Sequence, residues 1–216
     1  MTTLLIATRN AHKVAEIRAI LGHTTFHCLT LDDYPSAPNV IEDAATFAGN
    51  ATKKAMELAM WLAEKPSTFN LQPSTFCVLA DDSGLEVDAL GGAPGVHSAR
   101  FAALNSGHTG NSPDPDNNAK LLRLLQDVPA AKRTARFRCV IALIEVHPPS
   151  AIRHPRLFDG TCEGRIETTP RGNGGFGYDP LFIPAGFIQS FAELGEDVKN
   201  SLSHRAKALA KLKDNL

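Results

Sequence analysis

Residues 76–84 read Phe76-Cys77-Val78-Leu79-Ala80-Asp81-Asp82-Ser83-Gly84. Five apolar or small residues in a row predict a short inner strand. The run stops on two adjacent carboxylates, a hydroxyl and a glycine. In open α/β sheets, ligands bind just outside the carboxyl ends of strands. Asp81 and Asp82 therefore stand where a metal ion or a water-activating base is useful. Adjacent strand residues point to opposite faces, so at most one of the two faces any given ligand.

Upstream, residues 4–7 predict a first strand. Residues 11–21 predict a helix with Val14, Ile17, Ile20 and Leu21 on one face and Gly22 as its stop. Residues 25–29 predict a second strand. Residues 44–63 place Phe47, Ala51, Ala55, Leu58 and Leu62 at helical spacing and predict a long helix, and a polar connector over 66–73 leads to the strand at 76.

Downstream, residues 105–118 contain no apolar side chain beyond glycine and proline and predict a mobile loop. A helix follows, using Leu121, Leu122, Leu124 and Leu125. Residues 134–146 predict a long strand, with Ala135, Phe137, Cys139, Ile141 and Leu143 on one face and Arg136 and Arg138 opening the other. Residues 156–168 predict a returning strand or pair. The glycine-rich stretch 172–180 leads into Leu181-Phe182-Ile183, followed by a short helix near 189–194 and a final helix near 198–213. Helices alternate with strands early and strands cluster later, which predicts a mixed sheet in an α/β fold.

The 216 residues, 43% hydrophobic, suffice for one sizeable core and call for a single domain over 1–216. With 21% charged residues and a net charge of −1, the chain offers no bulk attraction to a nucleic acid polymer or a membrane surface. Cys28, Cys77, Cys139 and Cys162 form no C-x-x-C pair and read as reduced thiols. Only Leu4-Leu5-Ile6-Ala7 precedes Arg9, too short for a secretory core, and no apolar run reaches membrane-spanning length. The expected compartment is the cytoplasm.

Five constellations carry chemistry. Thr8-Arg9-Asn10-Ala11-His12-Lys13 joins the first strand to the first helix, where backbone N–H groups and a lysine make an anion site; an ordinary helix cap with a solvated lysine has the same pattern. Glu42 precedes a helix bearing Asn50, Lys53 and Lys54. Its carboxylate beside Asp82 would suit Mg²⁺, while the lysines by themselves read as a solvated face. Gly91-Gly92-Ala93-Pro94-Gly95 through Arg100 reads as a tight turn, with Ser98 and Arg100 as candidates for a polar wall. Gly172 to Pro180 sets two aromatics and Asp179 among glycines, which suits a base platform or a turn with Phe176 tucked inward. Lys199 and Ser203-His204-Arg205 supply donors that favour a keto oxygen over an amino group, or else a solvated basic cluster.

Taken together and in order, these segments resemble the inosine triphosphate pyrophosphatase family, whose members hydrolyse non-standard purine nucleoside triphosphates (ITP, dITP, XTP) to the monophosphate and pyrophosphate. The matching pieces are T-x-N-x-x-K at 8–13, Glu42 with T-F-x-x-N-A-x-x-K-A at 46–55, D-D-S-G-L at 81–85, G-G-A-P-G-x-x-S-A-R at 91–100, G-G-F-G-Y-D-P at 174–180 and K-N-x-x-S-H-R-A at 199–206. The resemblance implies an elongated α/β fold, with a central mixed sheet flanked by helices and two lobes around a substrate groove, in a homodimer. It implies that Thr8, Asn10, Lys13 and Lys54 grip the triphosphate. Glu42 and Asp82 would hold Mg²⁺, with Asp82 also the proton acceptor, and Ser83 would touch the substrate. Phe176, Gly177, Tyr178 and Asp179 would frame the base; Lys199, His204 and Arg205 would complete the purine pocket. Three features depart from the family pattern: Gly49 stands where many relatives carry Glu, Ala44-Ala45 replaces a glycine-containing turn, and the loop over 102–118 is longer.

The expected chemistry is metal-assisted attack of water on the α-phosphorus, with Asp82 as base and an alkaline optimum. Discrimination would come from donors facing the keto group at purine position six, which an adenine amino group would leave unpaired. Two rival readings are an enzyme for pyrimidine or modified triphosphates and a non-catalytic nucleotide-binding module.

Overall fold

The computed structural model describes residues 2–22, 26–64, 76–104, 110–147 and 151–215. Strand β1 (Thr2–Ile6) leads into helix α1 (Ala11–Leu21) and strand β2 (Phe26–Thr30). Asn10 caps α1 by accepting from the Lys13 N–H at 3.1 Å, and Gly22, at φ +61°, ends it. Helix α2 (Phe47–Ala63) precedes β3 (Phe76–Val87), and both β2 and β3 pair with β1 in parallel, as crossover helices require. Helix α3 (Asp114–Leu124) precedes β4 (Thr134–His147), β5 (Ala151–Ile152), β6 (Arg156–Ile166) and β7 (Phe182–Pro184). Helices α4 (Phe191–Leu194), α5 (Glu196–Leu202) and α6 (His204–Lys213) follow.

Among the described residues the strands form one open mixed sheet in the order β2-β1-β3-β4-β6-β7, with β5 on β4. β5 and β7 run antiparallel to their neighbours. The α/β class and mixed sheet expected from the sequence are present.

The chain divides into two compact units. The first comprises Met1–Asp82, Val140–Asp159 and Ala208–Leu216; the second comprises Ser83–Cys139 and Gly160–Lys207. In the first, α2 buries Phe47, Asn50, Ala51, Lys54, Ala55, Leu58 and Leu62, a stripe at helical spacing. In the second, Leu85, Val87, Leu121 and Tyr178 share a core with three packed rings. Phe137 lies 4.7 Å from Phe182, which lies 5.3 Å from Phe191.

Four boundaries differ from the sequence expectation. β3 does not stop at the carboxylates but runs on to Val87, because Leu85 and Val87 have a core of their own to enter. α2 begins at Phe47 rather than 44, where Thr46 accepts from the Gly49 N–H at 3.0 Å. Residues 114–118 of the expected loop form the first turn of α3, which Pro115 suits. The expected helix over 198–213 is two helices, broken at Ser203 (ψ 164°), whose hydroxyl accepts from the Ala206 N–H. On β4 the alternation holds from Ala135 to Cys139; beyond that, Val140, Ile141, Ala142, Leu143 and Ile144 are buried on both faces.

All four cysteines are free, with Cys77, Cys139 and Cys162 buried. Among the described residues no helix is long and apolar enough to cross a membrane. The connector over 66–73, position 25 of the expected second strand and residues 105–109 of the expected loop lie outside the described residues.

Candidate active site

The first unit gathers the phosphate-type residues. The Asn10 N–H donates to Thr8 Oγ1 at 3.2 Å, so Thr8, Asn10 and the start of α1 form one local turn. The first turn of α1 contains no acidic side chain, which leaves its positive dipole end without a built-in anion. Lys13 Nζ pairs with Asp81 Oδ1 at 2.5 Å, and the Asp81 side chain is wholly buried. The Lys13 charge also acts on Asp82, the next residue along the strand.

α2 supplies the next two groups from its buried stripe. Lys54 Nζ pairs with Glu42 Oε1 at 2.7 Å and donates to the Asp81 carbonyl at 3.1 Å. Lys54 is buried, so the solvated-face reading fails for it, whereas its neighbour Lys53 is partly exposed and pairs with Asp43. Asn50, with no exposed surface, donates from Nδ2 to Asp82 Oδ2 at 3.0 Å and accepts at Oδ1 from the Ala44 N–H at 2.9 Å. One amide thus ties the catalytic candidate to the turn that follows Glu42. Asn50 was named beside Glu42 in the sequence but given no role of its own. Its signal was a polar side chain in register with Phe47, Ala51 and Leu58.

Gly49 explains two departures from the family pattern. A Cβ there would lie 2.7 Å from the Ala44 methyl and 3.1 Å from Thr46 Oγ1. The glycine makes room for Ala44 against the first turn of α2.

Burial pushes the Asp82 carboxyl up to about 6 from its ordinary 3.8; Lys13 pulls it down, Glu42 pushes it up, and Lys54 and the Asn50 hydrogen bond pull it down. A carboxylate held there is a stronger base than an ordinary one and is still ionised at neutral pH. Among the described residues no three His, Cys, Asp or Glu side chains form a ready-made metal cage. The donors available are Glu42 and Asp82. Two carboxylates suit a hard divalent cation that takes its other ligands from water and phosphate oxygens, and positive charge would relieve the burial and repulsion acting on Asp82.

The second unit gathers the residues that the resemblance assigns to the base. Ser83 Oγ accepts from Arg205 Nη2 at 2.9 Å, and Arg205 is 1% exposed. Lys199 Nζ pairs with Asp179 Oδ2 at 2.5 Å and lies 4.4 Å from the centre of the Phe176 ring. The same Asp179 oxygen accepts from the Phe176 N–H at 2.9 Å. Gly175, at φ +72°, is required here because a Cβ would fall onto the Asp179 carboxylate. The glycine-rich loop is therefore closed around an ion pair, and Phe176 remains half-buried.

Two expected base contacts have structural duties. Tyr178 is 4% exposed, belongs to the core and donates its hydroxyl to the Ser98 carbonyl at 2.9 Å; burial holds its hydroxyl above the usual tyrosine range. His204 stacks on Phe137 at 4.8 Å with the planes 13° apart. Ser98 is not a polar wall: its hydroxyl donates to the Gly95 carbonyl and accepts from the Leu85 N–H. Lys199, His204 and Arg205 are all buried, so the cluster is not solvated surface. Gly177 is held from α3, its N–H by Asp114 Oδ2 at 2.6 Å and its carbonyl by Asn118 Nδ2 at 3.0 Å.

A model of the Ham1 family matches residues 4–215. The dITP/XTP pyrophosphatase of Geobacter sulfurreducens is 47% identical over 216 residues, which is 100% of this chain and 97% of that protein. The dITP/XTP pyrophosphatase of Desulforamulus reducens is 47% identical over 208 residues, 96% of this chain and 92% of that protein. Among solved structures, a HAM1 protein from Coxiella burnetii matches at a TM-score of 0.79 and 35% identity, covering 100% of this chain and 98% of that one. With the family model spanning nearly every residue and full-length relatives close to half identical, the chain belongs to the Ham1 family.

Proposed function

We propose that this protein hydrolyses non-standard purine nucleoside triphosphates (ITP, dITP and XTP) to the nucleoside monophosphate and pyrophosphate, and so cleanses the nucleotide pool. The carrying observation is the buried Asp82 carboxylate, raised to about 6 and held by Asn50 among Lys13, Lys54 and Glu42. The names of the relatives, dITP/XTP pyrophosphatase, favour purine substrates over the pyrimidine reading. A module that only binds nucleotide has no use for a carboxylate poised as a base.

Asp82 takes a proton from water as the oxygen attacks the α-phosphorus, and the bond from that phosphorus to the bridging oxygen breaks. The bridging oxygen leaves on pyrophosphate. Thr8, Asn10 and the start of α1 bind phosphate oxygens through N–H and hydroxyl donors, and Lys13 and Lys54 stabilise charge on the leaving group. Glu42 and Asp82 are the residues that would hold Mg²⁺, which would supply neutralisation of phosphate charge and a lowered pKa for water. Because Asp82 is ionised above about 6, activity is expected to stay high through neutral to alkaline pH.

Recognition of the base falls to the second unit. Ser83 and Arg205 approach the substrate, Phe176 offers a ring face, and Lys199 and Asp179 hold the loop that carries it. Asp82 ends the first unit and Ser83 begins the second, so consecutive residues serve the two tasks. Buried donors facing the six-keto oxygen would be left unpaired by an amino group, a loss of about 1–3 kcal/mol each. The resemblance further supports a cytoplasmic homodimer, to be checked by fractionation and sedimentation.

The test is pyrophosphate release from ITP, dITP, XTP, GTP and ATP with and without Mg²⁺. Asp82→Asn should abolish turnover while remaining folded. Activity near wild type in that variant, or equal rates on ATP and ITP, would overturn the reading.

A further inference from the structure

Helix α3 makes a contact with the glycine-rich loop that the chemistry above does not use. The N–H and C=O of Gly177 are both held from α3, by Asp114 and Asn118, which sit one helical turn apart on the same face. Gly177 itself adopts φ +63°, and no neighbouring atom lies within 4 Å of where its Cβ would be. Two side-chain hydrogen bonds from α3 hold its backbone.

Asn118 shows how directed the contact is. It is 9% exposed, and while Nδ2 donates to the Gly177 carbonyl, its Oδ1 is buried without a hydrogen-bond partner. Turning the amide over would set oxygen against oxygen, so the orientation is dictated by Gly177. Buried polar atoms are nearly always paired. Asn118 thus leaves one buried polar atom unpaired while its other end holds a loop carbonyl.

The flanking residues give that position its meaning. Phe176 precedes Gly177, and its N–H is held by Asp179 from the other side. Tyr178 follows and is anchored to Ser98. Phe176 is thus the half-buried ring of a loop whose backbone is held by side chains at 176 and 177 and whose next side chain, Tyr178, is anchored in the core.

We propose that Asp114 and Asn118 are positioning residues for base selection, holding the Gly177 backbone from α3 so that Phe176 meets a purine base in a fixed pose. The proposal rests on the functional reading above. Neither residue touches the substrate; both act through Gly177. The phosphate side of the reaction lies in the other unit and is left alone.

The test compares Asp114→Ala, Asp114→Asn and Asn118→Ala with the wild type. Asp114 is exposed, so its removal leaves the core intact. Asp114→Asn keeps an oxygen for the Gly177 N–H and should behave as wild type. The two alanine variants should raise KM for ITP about tenfold, change kcat at saturating ITP by less than about threefold, and lower the ITP-to-ATP ratio of kcat/KM. Amide exchange at Gly177 should quicken in Asp114→Ala and not in Asp114→Asn. An unchanged ratio in both alanine variants, or unchanged exchange at Gly177, overturns the proposal. A wild-type protein inactive on ITP would instead overturn the functional reading, and the exchange measurement would still decide whether α3 holds the loop.

Discussion

Asn50 Nδ2 donates to Asp82 Oδ2 across 32 residues of sequence, and the same amide accepts from the Ala44 N–H. An amide does this where a carboxylate or a lysine would fail, because it offers a donor and an acceptor at once. Asn50→Ala removes both contacts and leaves a buried carboxylate oxygen and a backbone N–H short of a partner. The expected cost is about 1–3 kcal/mol of stability together with a large loss of kcat. Asn50→Asp keeps the acceptor for Ala44 but sets a second negative charge against Asp82, so its activity should fall further and its profile should move to higher pH. Denaturant unfolding and pH–rate profiles of the two variants check this; a wild-type profile in Asn50→Asp would contradict it.

Lys13 serves two purposes that a pair of variants separates. Lys13→Met removes the ammonium that pairs with the fully buried Asp81 carboxylate, and breaking such a pair costs about 3 kcal/mol or more. Lys13→Met with Asp81→Leu removes both charges and should regain most of that stability while remaining inactive. Recovery of activity in the double variant would show that Lys13 acts only as the partner of Asp81.

The raised carboxyl of Asp82 has a signature in stability. Its folded value of about 6 lies above the ordinary 3.8, so between these pH values the folded state keeps a proton that the unfolded state has released. Its stabilising contribution is complete below about 3.8 and is lost as pH rises through about 6. Metal-free wild type at pH 8 should therefore carry a penalty on the order of 1–3 kcal/mol that Asp82→Asn lacks. Thermal melts in chelator should place Asp82→Asn above wild type at pH 8 and nearer to it at pH 5. Mg²⁺ should raise the wild-type Tm more at pH 8 than at pH 5, and Asp82→Asn should respond little. Coincident melts at pH 8 would contradict the raised value.

Tyr178→Phe tests whether this ring supports the loop or meets the base. Loss of the hydroxyl leaves the Ser98 carbonyl without its partner, at about 1 kcal/mol of stability. Selectivity between ITP and ATP should change by less than about threefold, since the ring stays in the core. A large change in selectivity with no loss of stability would place Tyr178 against the base.

The mixed sheet and the helices with strong periodicity were legible because hydrophobic spacing is a local signal. The run from Phe76 announced β3, but nothing local announced that it would continue past Asp81-Asp82. That depends on the core awaiting Leu85 and Val87. The expected helix over 198–213 failed at Ser203, a weak breaker whose hydroxyl could cap only after the chain had turned. Only the motif resemblance set Lys54 at the triphosphate; read from the residues alone, Lys54 and Asn50 belonged to a solvated face. Their register with Phe47 and Leu58 carried the opposite message. His204 and Tyr178 were assigned to the base by their motifs; that they also pack on Phe137 and bond to Ser98 is a long-range fact.

Ala44 and Gly49 share one small volume at the start of α2. Neither position is therefore free to vary alone. A side chain grafted at 49, glutamate included, would displace the 44 methyl and with it the backbone N–H that Asn50 holds, and the disturbance would reach Asp82 through that one amide. Exchange of both positions together, with glycine moved to 44, is the combination that transplants a bulkier residue without that strain.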